Sequence, residues 1–324
     1  MKRFAAILAA AFVFTALSGC GNGSGSIQIN NEAIGETNIK NSSEVTFTDS
    51  AGRTVTVSDP QKTAVFTASF ADIWQLAGGT VSFATEDAFD SDKYTLPDGV
   101  VNIGLLDSPS AELLIDGDAD FVILSSTAHG GTKLAETLEQ AGMTCALFEV
   151  EDFSDYINML KICTDITGRQ DLYEKNGEAV RKNINEIISE QQNREQKTAL
   201  YLRAFSTGIK AKGSDSMTGK MLADMNCVNI ADTVPQLLEE LSIEEIIRQD
   251  PDFIFITIMG SDEEKAKRSY EDTLASNPAW SGLSAVRNGR CIFLPKQYFH
   301  NKPNAEWDKA YEMLAEIIND EKTD

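Results

Sequence analysis

The sequence predicts an α/β protein of two lobes, each with a mostly parallel central sheet flanked by helices, joined by one long helix. Three observations lead there. Apolar runs of strand length alternate with helical patterns in two separate stretches of the chain. The stretch between them is helical in pattern almost throughout. A segment of about a dozen residues occurs once in each half, which points to two related units. A chain of 324 residues is long for one core and comfortable for two, and its apolar fraction of 42% is ordinary.

The elements run in order from an export signal. Lys2 and Arg3 precede an uncharged apolar run from Phe4 to Leu17, closed by Leu17-Ser18-Gly19-Cys20. That run falls short of the roughly 20 apolar residues a membrane span needs and fits a signal-peptide core. Small residues before a cysteine resemble the bacterial lipobox. Residues 1–19 are therefore expected to be removed, and Cys20 to carry lipid. Stable anchoring by lipid takes more than one acyl chain, each buried methylene contributing about 0.8 kcal/mol. A plain secretory signal is the alternative. Residues 20–43, opening Gly21-Asn22-Gly23-Ser24-Gly25-Ser26, lack periodicity and read as a tether.

Residues 44–151 form the expected N-terminal lobe. Val45, Phe47, Val55 and Val57 alternate with polar residues around Ser50-Ala51-Gly52, which predicts a hairpin. Strands follow at Ala64–Phe66, Val81–Thr85, Val101–Ile103, Phe121–Leu124 and Cys145–Val150. Helices are expected over Ala71–Ala77, from the Ser110 cap through Ile115, and over Thr132–Ala141. Residues 152–197 form the connector, with a long helix over Asp171–Glu195 spanning roughly 35–40 Å at 1.5 Å per residue. Residues 198–324 form the C-terminal lobe. Its strands are expected at Ala199–Ala204, Phe253–Ile258 and Cys291–Leu294, and its helices over Met217–Met225, Ile243–Arg248, Glu263–Ala275 and Ala305–Ile318.

The repeat sets Ser110-Ala-Glu112-Leu-Leu-Ile-Asp-Gly-Asp118-Ala-Asp120-Phe121 against Ser242-Ile-Glu244-Glu-Ile-Ile-Arg-Gln-Asp250-Pro-Asp252-Phe253. Ser, Glu, both Asp and Phe recur at one offset, and each copy runs into an apolar strand. Of the five cysteines, Cys145, Cys163, Cys227 and Cys291 remain besides Cys20. Their apolar settings favour buried thiols, while the even count keeps a Cys227–Cys291 bridge open.

Composition excludes several functions. With 28 Lys+Arg against 50 Asp+Glu, the net charge of −22 repels phosphate backbones and argues against nucleic-acid binding. Neither the dinucleotide nor the P-loop glycine pattern occurs, and there is no Gly-x-Ser-x-Gly elbow. A Ser125/His129 pair with a distant Asp could be assembled, but nothing in the spacing requires it. The reading is therefore not an enzyme. A lipoprotein hydrolase is a remote alternative, and an adhesion lipoprotein another that the repeat counts against.

Taken in order, the elements resemble the substrate-binding proteins of iron-complex and cobalamin ABC importers, in which one long helix joins two lobes. The likeness covers about Val45 to Ile318. It rests on the hairpin Asp49-Ser-Ala-Gly52-Arg53-Thr-Val-Thr-Val57, the Ser-x-Glu helix leading to Asp120-Phe-Val-Ile-Leu124, and Leu134-Ala-Glu-Thr-Leu138-Glu-Gln-Ala-Gly142. To these it adds Asn277-Pro278-Ala-Trp280 and Val286-Arg-Asn-Gly289-Arg290. The resemblance implies capture of an iron chelate, a ferric siderophore first, with haem or a corrinoid as alternatives. It implies delivery to separate permease and ATPase chains by a monomer without a cofactor, lipid-anchored on the extracytoplasmic face of the cell membrane. It also implies that Glu112 and Glu244 dock onto permease arginines, one per lobe, with Glu245 leaving the second position open by one residue. As first-turn acids, both also suit their own helix dipoles.

The ligand is expected between the lobes, at the carboxyl ends of strands. That nominates Thr67–Phe70, Glu86–Phe89, Gly104–Asp107 and Ser125–Gly130 in the first lobe, with Arg203–Ser214, Met259–Ser261 and Lys296–Asn301 in the second. Arg203, Lys210 and Lys212 fall together, and Lys296 and Lys302 flank the last loop; in so acidic a chain they suggest an anionic ligand. The two histidines, His129 and His300, fall one per lobe, and with Tyr298 they are candidate iron ligands if the ligand is haem. Met259 is a soft candidate, and Phe70 an aromatic wall. Too few histidines and acids cluster for a bare-metal site. Trp74, Trp280 and Trp307 read as core or structural residues.

Overall fold

A computed structural model describes residues 38–39, 44–90, 94–127, 130–260 and 262–320. The export signal, Cys20 and nearly all of the expected tether lie outside the described residues, as does His129. Strands β1 (Asn38–Ile39), β2 (Glu44–Thr48) and β3 (Thr54–Ser58) make a small antiparallel sheet. In β2 and β3 alternate residues turn inward, burying Val45, Phe47, Val55 and Val57. Asp49 fixes this hairpin to the lobe. Its buried carboxylate accepts the backbone N–H of Arg53 at 2.9 Å and of Leu147 at 3.1 Å, and pairs with the Arg53 guanidinium at 2.7 Å. Gly52, with φ of 77°, supplies the left-handed turn.

The first lobe's sheet comprises β4 (Thr63–Val65), β5 (Val81–Ala84), β6 (Val101–Asn102), β7 (Phe121–Ser125) and β8 (Thr144–Phe148), all parallel in the order β6-β5-β4-β7-β8. The chain builds outward from β4, then crosses back to β7, so a crevice opens at the carboxyl ends of β4 and β7. The second lobe holds β9 (Lys197–Phe205), β10 (Gly208–Ala211), β11 (Cys227–Asn229), β12 (Phe253–Ile258) and β13 (Cys291–Phe293). Its order is β10-β9-β12-β13, with β11 parallel to the start of β9. The corresponding crevice lies at the ends of β9 and β12.

Both repeat copies do the same structural work. The Ser110 and Ser242 hydroxyls cap their helices, accepting the N–H of Leu113 at 3.2 Å and of Glu245 at 3.3 Å. Leu114 and Ile246 are the buried anchors of those helices. Asp118 and Asp250 turn the chain in the left-handed region, with φ of 54° and 39°. Asp120 then accepts the N–H groups of Gln61 and Lys62 at 2.7 and 3.0 Å, and Asp252 accepts the N–H and hydroxyl of Thr198 at 2.7 and 2.8 Å. Each aspartate pins the approach to the following strand onto the approach to its lobe's central strand.

The connector is a helix over Phe153–Thr167, stopped at left-handed Gly168, and then a second helical run from Gln170 to Gln191. Asp152 and Asp155 form a capping box on the first helix. The second run widens to a π turn at Glu174–Glu178. There the Asn176 carbonyl accepts the Tyr156 hydroxyl at 2.8 Å and its amide donates to the Leu76 carbonyl at 2.8 Å. The run ends before the expected Glu195, because β9 begins at Lys197. One core cluster runs through both lobes and the connector, including Phe148, Tyr156, Ile184, Tyr201, Phe255 and Trp307. The outer faces of the two sheets have cores of their own. Trp74, Trp280 and Trp307 are at most 2% exposed. Parting the lobes widely would expose that shared apolar surface, which resists large hinge motion. The cysteines Cys145, Cys163, Cys227 and Cys291 are free thiols, the first three buried. Among the described residues no helix is long and apolar enough to cross a membrane.

Candidate ligand cleft

The first lobe lines the cleft with backbone and hydroxyl groups. Thr67, directly after β4, holds φ of 75°, a costly conformation for a β-branched residue. Its N–H donates to the buried Thr85 hydroxyl at 3.0 Å, while the next N–H, of Ala68, donates to Asp87 at 2.7 Å. After β7, the Ser125 and Thr127 hydroxyls meet at 3.1 Å. The loops after β6 and β7 enclose a hollow of about 270 Å³, with Leu106, Asp107, Ser125 and Lys133 in its wall.

The second lobe presents cations. Arg203 and Thr257 are paired neighbours at the ends of β9 and β12. The buried Tyr201 hydroxyl bonds Thr257 at 2.8 Å and accepts the Arg203 Nε–H at 3.2 Å, with the guanidinium 5.8 Å from the tyrosine ring centre. Arg203 is thereby held from beneath by a rigid aromatic. Beyond β13, Lys296 opens a helical turn over Lys296–Phe299, and its Nζ donates to the Gly260 carbonyl at 2.7 Å. His300 follows, its N–H bonded to the Lys296 carbonyl at 2.9 Å. Lys302, largely buried, faces Glu151 of the first lobe at 3.6 Å. Burial, and then the charges of Lys296, Arg203 and Lys302, push the His300 pKa down to about 4. The imidazole is therefore neutral at pH 7, inside a cluster of three cations.

Residues 64–298 match the family described as periplasmic binding protein, and that match covers most of the chain. The chain belongs to this family. It is 23% identical over 283 residues, 85% of this chain and 83% of the relative, to the Fe(3+)-citrate-binding protein YfmC of Bacillus subtilis (strain 168). The fold matches that of Staphylococcus aureus SirA complexed with staphyloferrin B, with a TM-score of 0.66 and 15% identity over 86% of this chain and 99% of that one. It also matches S. aureus IsdE complexed with heme, with a TM-score of 0.62 and 15% identity over 80% of this chain and all of that one. The two α/β lobes and their helical join are thus those of an extracytoplasmic substrate-binding protein.

The residues expected in the cleft of this periplasmic binding protein divide sharply. Arg203, Lys296 and His300 come together. Lys210 lies beside Arg203, but on a strand where the sequence suggested a loop: β9 and β10 form a hairpin with a tight turn at Ser206 and Thr207. It stands opposite Arg203 in that ladder, on the same face of the sheet, and is exposed. Lys212 is half-buried just beyond the hairpin, its N–H on the Tyr201 carbonyl at 3.0 Å. Met259 is half-buried at the end of β12. Phe70 is 4% exposed and packs in the shared core, so it serves the fold rather than a ligand wall. Tyr298 packs against the same core. Tyr201, Thr257 and Glu151 carry no sequence signal, because only the strand pairing and the lobe contact bring them here.

Glu112 and Glu244 both lie exposed in the first turns of their helices, without a side-chain bond or ion pair among the described residues. Each helix runs back to start a buried strand, so its first turn sits at the cleft end of its lobe. Glu245, by contrast, is engaged with Arg248 at 2.5 Å and Gln249 at 2.8 Å.

Proposed function

We propose that this protein captures a ferric chelate outside the cytoplasm, a siderophore of the carboxylate or catecholate type, and delivers it to an ABC permease. The observation that carries this reading is the convergence of Arg203, Lys296, His300 and Lys302 at the carboxyl ends of the second lobe's strands. In a chain of net charge −22 such a cluster selects anions. The relatives named for ferric citrate and staphyloferrin B support an iron-bound polyanion as the cargo. Haem is a second reading, favoured by the neutral imidazole of His300, which suits an iron ligand beside cations that suit propionates.

The protein works in this proposal as a monomer, tethered through lipid on Cys20, and takes no part in chemistry on its cargo. Glu112 and Glu244 are its permease contacts. Their exposure, their lack of partners and the matching helices support that role, and the engagement of Glu245 leaves Glu244 as the available carboxylate. The test is quenching of tryptophan fluorescence in protein from Gly21 onward, titrated with ferric citrate, a ferric catecholate, a ferric hydroxamate, hemin and cobalamin. Saturable quenching by a ferric anion is expected. Saturation by cobalamin alone, or silence across the panel, overturns the reading.

A further inference from the structure

The chain that follows β13 carries His300 and is fastened to both lobes. At its start the Lys296 ammonium donates to the Gly260 carbonyl at 2.7 Å, and the buried Thr218 hydroxyl donates to the Phe299 carbonyl at 2.8 Å. Both are ties to the second lobe. At its end stands Asn304, 1% exposed. The Asn304 Nδ2 donates to the Ser69 carbonyl at 2.9 Å and to the Asp72 carboxylate at 2.7 Å. Ser69 and Asp72 belong to the first-lobe helix Ala68–Leu76, which starts directly after strained Thr67. We propose that Asn304 is a positioning residue for the cleft: it holds the His300 stretch at a set distance from the Thr67 wall, and so determines which chelates fit between them. This rests on the ferric-chelate reading and adds a specificity-determining residue to it.

The position leaves little choice of residue. Asn304 holds φ of 54°, in the left-handed region that favours Gly, Asn and Asp. Of these three only Asn brings N–H donors. Glycine would leave the Ser69 carbonyl and the Asp72 carboxylate without this contact, and aspartate would turn a second carboxylate toward them. Both partners are acceptors, so the amide's orientation follows from their chemistry. The bond to Asp72 is charge-assisted and lies out of water, where such bonds are strongest.

Both sides of the contact are stiff, so it transmits position. Buried Pro303, with φ of −68°, limits the chain just before Asn304. Just after it, the short turn Asn304–Glu306 leads into the closing helix Trp307–Asn319. Trp307 is buried edge-on against Phe153 of the connector, ring centres 6.1 Å apart. On the first lobe, the Thr67 hydroxyl accepts the Phe70 N–H at 3.4 Å and lies 3.4 Å from the Ser69 hydroxyl. A displacement of Ser69 is therefore felt at Thr67. His300 stands four residues before Asn304, between the ties to the two lobes. The shared core resists wide parting of the lobes, and the Asn304 contact sets the finer spacing at the cleft itself. A cleft held at its working width before the cargo arrives spends less binding energy on ordering its walls.

Two measurements on the protein from Gly21 onward test this, with melting temperatures of each variant. In the ligand-free protein, hydrogen exchange followed by mass spectrometry should show Asn304→Gly speeding exchange over Thr67–Ala71 and over His300–Asn301 together, with Phe121–Ser125 unchanged. Glycine keeps the left-handed backbone, so the change reports the lost side chain. Fluorescence titration then uses whichever of ferric citrate, a ferric catecholate and hemin the wild type binds most tightly. Asn304→Gly should weaken that chelate by about threefold to tenfold, within the range for residues that act on a site without touching it. Asn304→Asp, which sets a carboxylate against Asp72, should weaken it further. Asp72→Asn, a milder change to the same contact, should act in the same direction and serves if Asn304→Gly does not fold. Asp120→Ala, a structural loss at the far end of the first lobe's sheet, should leave affinity unchanged. Exchange that quickens on one side only, an affinity untouched by Asn304→Gly, or an equal loss from Asp120→Ala overturns the inference and leaves the ferric-chelate reading intact. Wild-type protein that binds none of the three overturns both.

Discussion

Replacing His300 by Gln should flatten the dependence of stability on pH between about 6.5 and 4. The ordinary imidazole value is 6.5, and in the folded protein burial and three cations push it down to about 4. Below pH 6.5 the unfolded chain takes up a proton at this position that the folded chain refuses. The contribution of a neutral His300 is therefore fully present above 6.5 and is lost as pH falls toward 4. At about 1.4 kcal/mol per pH unit, that gap has a ceiling of about 3 kcal/mol. The ring is partly exposed, and solvent screening brings the expectation down to about 1–2 kcal/mol. Urea unfolding of wild type and His300→Gln at pH 7.5, 6.0, 5.0 and 4.5 measures it. Asp152, held low by Lys220 and Ser154 against its burial, and Asp155 and Asp224, raised mainly by burial, bend both curves alike and cancel in the difference. Wild type should lose the extra 1–2 kcal/mol on acidification; parallel curves would show that the imidazole does not sit among the cations as described.

Two further outcomes follow from the repeat. Asp252→Ala removes two charge-assisted bonds at the start of β9 and should cost about 2–3 kcal/mol in urea unfolding, while Asp120→Ala, in a more exposed setting, should cost about 1 kcal/mol. No loss from either would mean that the repeat is not structural. Glu112→Ala with Glu244→Ala should leave chelate titrations unchanged and depress uptake by cells carrying the transporter, whereas equal uptake would remove both glutamates from the docking role.

What the sequence made legible is what local chemistry decides. Apolar runs with no polar face announce parallel strands buried on both sides, as at Phe121–Ser125 and Phe253–Ile258, where every residue is buried. The serine caps and the twin aspartates were visible because each bonds backbone close to an element's end. The β9–β10 hairpin was missed because Ser206-Thr207 is weak turn chemistry and Ile209-Lys210 too short a run to read as a strand; Gly208 alone marks it, with φ of 150°. Phe70 was misplaced because a helix start after a strand shows which end faces the cleft but not which side chains turn inward. Tyr201 looked like any core aromatic, and its hydroxyl matters only because the pairing of β9 with β12 sets Thr257 beside it.

The two lobes share a skeleton but not a cleft chemistry, and that asymmetry bears on how the cargo is read. At the carboxyl ends of the central strands, the first lobe has strained Thr67 and the hydroxyls of Ser125 and Thr127, while the second has Arg203 over Tyr201. Hydroxyls accept a wide range of oxygen-rich surfaces, whereas a guanidinium fixed on an aromatic, with two ammoniums and a neutral imidazole near it, favours negative charge. Under the proposed function, selection would therefore rest on the second lobe, with the first supplying shape. The shared core through the connector keeps the two surfaces at a nearly fixed spacing. A cargo of the right charge but the wrong size would then fail through the first lobe, not through loss of the cationic contacts. A substitution such as Thr67→Gly, which relieves the strained φ, should change the size of chelate accepted while leaving the preference for anions in place.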